Sequence, residues 1–437
     1  VMEFSGYLGG SYTTGSGENA QTISSKIYGF NLTNGATVSY NDESNYIAGL
    51  FGIMNKNAKV VDLRIEYDKI DLNFASVNAN NIYVGGVAGL IYYKDTNASD
   101  VGEIKYKDLT ITINDLDLTG IKNNQNLYFG GVLGCVYMTD SINLIEKCTV
   151  RINKSLISGN ANSLYVGGQV GSLEGQIKVS GSYSEDSNTS GNVEFNSVFG
   201  DKGFDTVCDL NVTASATKGA VGGLYGCVKN SEITVNSGTQ GSVTLEFYIE
   251  KISNMAVKGN IVAENIDNVG GLIGSINDGN SNSDKETTIV SNVNFFGKVI
   301  GHNNVGGLIG SGEISIFNAI VENYGDIIAK GQNSVGGLVG SMTSGRISLA
   351  YVTSSNENAS IDGTSNVGSL VGNVNKGVIE AVYSDVTTTD ATTKLLGNVK
   401  NVTLQHAFAV KGELGVTPSE ANHTYNAEDY DASKWSN

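Results

Sequence analysis

Asp278-x-Asn280-x-Asn282-x-Asp284, followed by Glu286, places oxygen-bearing side chains at alternate positions. Calcium is held by sets of this kind. Asp278, Asn280, Asn282 and Asp284 are therefore the metal ligands the chain offers, and calcium is the one cofactor it points to. An EF-hand loop needs glycine at its sixth place, where Ser283 stands; a polar insertion without an ion is the other reading. The three histidines, His302, His406 and His423, have no His or Cys at metal-ligand spacing. No Gly-x-Ser-x-Gly elbow, P-loop or His-Glu-x-x-His occurs. Paired carboxylates on strands can build a glycosidase or lyase site, but the acidic residues here are scattered. The chain is read as carrying no catalytic residues and as not being an enzyme.

The cysteines are more pointed. Cys135 and Cys227 occupy one position of a repeat in which other copies have serine. Cys148 follows the first by 13 residues and Cys208 precedes the second by 19. Four cysteines allow several connectivities. Local bridges 135–148 and 208–227 suit an exported protein; four small buried thiols are the alternative.

The elements that position these residues follow from composition. Of 437 residues, 40% are hydrophobic and only 16% charged, so polar surface must come from Asn, Ser, Thr and Gly. That leans away from helices, whose exposed faces favour Lys, Glu and Arg. A single proline fits a chain that is nearly all ladder, because proline cannot donate to one. The net charge of −17 leaves no basic stripe for nucleic acid and no electrostatic hold on anionic lipid. No apolar run is long enough to span a membrane. The opening VMEFSGYLGG lacks a basic start and a long apolar core, so no leader peptide is expected within it.

One motif recurs. It reads Val84–Leu90 (VGGVAGL), Phe129–Cys135 (FGGVLGC), Val166–Ser172 (VGGQVGS), Val221–Cys227 (VGGLYGC), Val269–Ser275 and Val305–Ser311 (both VGGLIGS), Val335–Ser341 (VGGLVGS) and Val367–Asn373 (VGSLVGN). Ile47–Ile53 (IAGLFGI) is the first copy, with Ala48 at the first glycine position, and a worn copy follows at Leu395–Asn398. The copies are 30 to 55 residues apart, about 40 on average. Such periods mean solenoids, propellers or arrays. Between copies, apolar residues two apart, as in Ile347-Ser348-Leu349 and Ile314-Ser315-Ile316, have the period of a half-buried strand. The shortest copies hold three short strands and three turns, one coil of a β-helix, and are tight for a four-stranded blade. Identical positions should then stack, with Gly270, Gly306 and Gly336, then Gly271, Gly307 and Gly337, then Gly274, Gly310 and Gly340 in columns. Each glycine marks either a positive φ or a backbone approach too close for a Cβ. Leu338 and Val339 are adjacent, so strict alternation would turn one of them outward.

Val-Gly-Gly-Leu-x-Gly-Ser resembles the GLUG motif over about residues 45–400; Gly271-Leu272-Ile273-Gly274 and Gly337-Leu338-Val339-Gly340 match its core. Gly168-Gln169-Val170-Gly171 lacks the leucine, and Ser369 replaces a glycine. GLUG repeats occur in large bacterial cell-surface and secreted proteins, so the resemblance implies an extracellular, adhesin-like chain.

The fold expected is all-β: a three-sided β-solenoid of about nine to eleven coils with variable loop insertions. Residues 1–44 form an entry or partial coil and 45–403 the repeat. Residues 404–437 are an acidic tail that caps the stack or reaches a neighbouring copy. The function expected is that of an extracellular stalk or adhesive scaffold, with cell-surface components or host and matrix glycans or proteins as partners. A subunit that polymerises end to end, and a β-helical protein that binds or cleaves polysaccharide, are the alternatives.

Overall fold

The computed structural model describes residues 3–4, 7–9, 11–14, 21–34, 40–41, 44–54, 58–93, 103–138, 142–174, 177–180, 204–229, 231–236, 242–247, 251–277, 289–323, 325–389 and 392–415. Asp278, Asn280, Asn282, Asp284 and His423 lie outside them. Among the described residues every regular element is a strand, and no helix is long and apolar enough to cross a membrane.

The sequence period becomes a pairing period. Asn303–Gly306 pairs in parallel with Asn333–Gly336, and that strand with Ser365–Gly368. The longer strands follow suit: Ile309–Asn323 pairs with Val339–Ser354, then Val371–Ser384, then Leu396–Ala409. Each strand lies against its counterpart one copy later, so a side chain meets the same position of the next copy. This is a solenoid-like parallel β fold, and its ladder runs through residue 409. Antiparallel pairs stand aside from it. Tyr40–Asn41 lies on the edge of Asn45–Ala48, and Ser231–Asn236 pairs with Ser242–Phe247 in a separate hairpin within one of the long gaps between copies.

The first motif glycines form one column, Gly85, Gly130, Gly167, Gly222, Gly270, Gly306, Gly336 and Gly368. Ile47–Ile53 enters it shifted. Ala48 pairs with Val84, not with a glycine. Its methyl is fully buried in the inward valine column, and Gly49 stands level with Gly85. The first copy crosses its turn with one residue fewer, since Ala88 pairs with Phe51. At the far end Gly397 of the worn copy takes the third glycine's place, where a Cβ would lie 2.6 Å from Gly372 O.

None of the glycines in the Val-Gly-Gly copies has a positive φ; each is required by close approach. At the first position a Cβ would meet the carbonyl three residues on, as Gly306 meets Ile309 O at 2.0 Å. At the second it would strike the matching carbonyl one copy later, Gly307 against Gly337 O at 2.0 Å. At the third it would press on the preceding copy, Gly310 against Gly274 O at 2.4 Å. The motif is thus a sharp corner between two strands whose backbones nest copy on copy. The turn also resolves the adjacent apolar pair: Leu338 sits in the corner, Val339 opens the next strand, and both are fully buried inside. Corner amides hand hydrogen bonds along the stack, Leu272 to Leu308 O, Leu308 to Leu338 O and Leu338 to Leu370 O, at 2.8–2.9 Å.

Candidate functional site

The residues singled out by their chemistry do not converge. His302 Nδ1 lies 2.8 Å from Asp267 Oδ1, and Asn303 Nδ2 donates to the same oxygen at 3.0 Å. That is a polar turn contact between successive copies, with the histidine side chain 40% exposed. His406 closes a separate column with Asn254, Asn292, Asn318, Leu349 and Ala381, all at positive φ. Among the described residues no group of three or more His, Cys, Asp or Glu could hold a metal ion.

The four cysteines are thiols, all buried, so the bridges 135–148 and 208–227 are not formed. Cys135 and Cys227 belong to one outer column separated by Ser172. Cys227 Sγ accepts from Ser275 Oγ at 3.3 Å. Cys148 and Cys208 are instead part of the apolar interior. Cys208 Sγ sits 3.6 Å from Gly223 O, and burial holds its thiol far above the ordinary range. A thiol so placed stays protonated and unreactive.

A feature the sequence reading missed lies on the outside of the corner. Tyr83, Tyr128 and Tyr165 each precede a motif by one residue and pair in register. Their rings stack at centroid distances of 5.0 and 5.4 Å, and Lys229 Nζ stands 4.9 Å from the Tyr165 centroid. Ile47 begins the same column, in register with Tyr83, and across the corner Ile53, Leu90 and Cys135 pack against these side chains as a small cluster separate from the main core. Because the rings cover one another, the faces between them are closed to a stacking sugar. The signal was in the sequence: Tyr-Val-Gly-Gly, Tyr-Phe-Gly-Gly and Tyr-Val-Gly-Gly in three successive copies.

The same column changes character farther along. Asn268, Asn304, Ser334 and Asn366 hold it, all at φ near +55°, a conformation that asparagine tolerates better than most residues. Asn304 Nδ2 donates to Asn268 Oδ1 at 3.0 Å, and Ser311 Oγ reaches that oxygen from across the corner at 2.7 Å. The stack thus carries an aromatic outer strip in its early copies and a hydrogen-bonded amide strip in its late ones.

Charged groups pair locally. Lys69 lies 3.0 Å from Asp117 and 3.1 Å from Asp71, and these bonds raise its pKa. Arg346 and Ser348 both donate to Glu380 and lower its pKa. The chain matches no protein-family model, no curated protein and no solved structure.

Proposed function

We propose that the chain is a non-enzymatic, extracellular structural repeat, a GLUG-like three-sided solenoid of about nine to eleven coils that serves as stalk or adhesive scaffold on a cell surface. The observation that carries this reading is the unbroken register of the glycine column from Gly85 to Gly368. It supports a backbone that repeats while its outer residues vary, an arrangement suited to length and display. Each coil adds about 4.8 Å of rise. The adhesive surface is the outer strip of tyrosines and amides, which suits surface glycans or proteins approached by hydrogen bonding.

The test is an array of glycans and matrix proteins probed with the intact chain, with turnover followed on the same polysaccharides. Saturable binding without cleavage is the expected result; catalysed cleavage contradicts the reading.

End-to-end assembly is a second reading with its own observation. Among the described residues, the outer edge of Leu396–Ala409 is covered only at its start, where Leu395 and Leu396 donate to Glu413 O and Leu414 O. An exposed strand edge invites pairing with another chain. Light scattering over a concentration series separates the two: growth into rods favours assembly, and a constant monomer mass rules it out.

A further inference from the structure

Most polar side chains buried in the interior are paired, as Tyr67 Oη is with Gly86 O and Gln125 Nε2 with Val77 O, but one slab gathers several that are not. Tyr106, Gln169, Thr206 and Tyr225 replace aliphatic residues in the inward columns there, and all four are fully buried. In those columns the neighbours of Tyr106 are Val60 and Ile145, those of Thr206 are Val150 and Val257, and those of Tyr225 are Val170 and Ile273. Gln169 stands at the corner position where five later copies have leucine.

These groups come from different copies and are linked through one another's adjoining backbone. Gln169 Nε2 donates to Cys148 O at 2.8 Å and lies 3.5 Å from Asp205 O, beside Thr206. Cys148 Sγ is 3.7 Å from Tyr106 O. Gln169 N donates to Leu224 O, next to Tyr225. The Thr206 methyl faces the same corner, 2.7 Å from where a Cβ on Gly168 would stand. Burial, and then the nearby Cys148 sulfur, raise both phenols well above their usual range, with the Asp205 carboxylate adding to the rise at Tyr225, so both hydroxyls are neutral.

Within the protein, Tyr106 Oη, Tyr225 Oη, Thr206 Oγ1 and Gln169 Oε1 have no hydrogen-bond partner. The two carbonyls served by Gln169 Nε2 fix the orientation of the amide, so its oxygen points away from them. Buried polar atoms are rarely left unpaired, and ordered water is the usual partner where several converge.

We propose that this slab is a binding site for ordered internal water, bridging Tyr106 Oη, Thr206 Oγ1, Gln169 Oε1 and Tyr225 Oη between successive copies. Two neutral phenols, a hydroxyl and an amide oxygen supply both donors and acceptors, which suits water. The four bring no charge of their own, and the buried carboxylate beside them, Asp205, accepts from Ala256 N at 2.9 Å. The inference is independent of any role at a cell surface.

An experimental density map at atomic resolution should show solvent within about 2.6–3.2 Å of at least two of the four atoms. In solution the sign of a mutational effect reports the same thing. Tyr225→Phe and Thr206→Val each delete one polar atom and keep the shape. If water is bound, each strips it of a partner and lowers Tm by about 1–3 °C. If the slab is dry, each removes an unpaired group and raises Tm. A rise in Tm for both variants, or a map with no solvent peak at the four atoms, overturns the proposal. Should the variants not fold, the map decides alone.

Discussion

The early and late copies share one backbone and differ in nearly everything attached to it. In the early half the path after the corner is described as separate short strands, as Leu133–Met138, Ile142–Glu146 and Thr149–Ile152. In the late half the same path is one strand, Ile309–Asn323 or Val339–Ser354. There a glycine at positive φ, Gly312 or Gly345, turns the chain within a single strand, and the ladder takes up the turn as a one-residue bulge after Gly312. The outer corner column is tyrosine early and asparagine or serine late. The interior holds its polar slab early and wholly apolar corner residues such as Leu308 and Leu338 late. Between the shortened first turn and Ser369 of the last Val-Gly copy, the corner itself does not change. The difference separates what the architecture demands, three sites with no room for a Cβ, from what it leaves free.

The largest effect should come where the halves are alike. Gly307→Ala drives a methyl against Gly337 O, and Gly131→Ala against Gly168 O and Val150. Each should cost about 3 kcal/mol, the upper range for overpacking, by urea denaturation. Unequal losses would break the claim of a common corner. Ser369→Ala, in the same column but already bearing a Cβ, removes a buried hydroxyl that has no partner within the protein and should cost nothing, leaving stability unchanged or raised.

A smaller effect separates the halves. Tyr128→Ala opens the stack between Tyr83 and Tyr165 and should cost about 2 kcal/mol, given half-burial and two ring contacts. Tyr128→Gly should be worse, because its backbone is extended. Asn304→Ala loses the bond to Asn268 and keeps a positive φ, for about 1 kcal/mol, whereas Asn304→Gly should recover most of that. If glycine and alanine rank alike at both positions, the two strips do not differ in backbone as described.

The smallest effect is acid-sensitive. Arg346 holds the Glu380 pKa below its unfolded value. The pair therefore stabilises the fold above the usual carboxylate pKa and is lost as pH falls through the depressed one. Arg346→Met should remove that share of the acid-side slope. Since the arginine is more than half exposed, the loss should stay below about 1 kcal/mol and shrink with salt.

How much of this was legible follows from the kind of signal. The column of Gly270, Gly306 and Gly336 could be read because spacing alone predicts stacking once the repeat is seen. Which force excludes a side chain could not, since positive φ and close approach both select glycine. Ala48 was placed one residue out because the first turn is shorter, and only the pairing of Ala48 with Val84 reveals it. The tyrosine stack was written in three successive copies and needed only the step from recurrence to contact. The linking of Tyr106, Gln169, Thr206 and Tyr225 was not legible, because it joins four residues spread over some 120 positions. The cysteines misled because sequence proximity was taken for spatial proximity, whereas Cys135 faces the outer corner and Cys148 the core.

Cross-linking along the outer serine column tests the stacking most directly. Ser311, Ser341 and Asn373 occupy one position in three successive copies. One coil is about 4.8 Å, within disulfide reach, and two coils are about 9.6 Å, beyond it. Ser311→Cys with Ser341→Cys should therefore form an intramolecular bridge on mild oxidation, and so should Ser341→Cys with Asn373→Cys. Ser311→Cys with Asn373→Cys should not. Bridging of that last pair as readily as the first two, or none of the three, would contradict the register on which everything else stands.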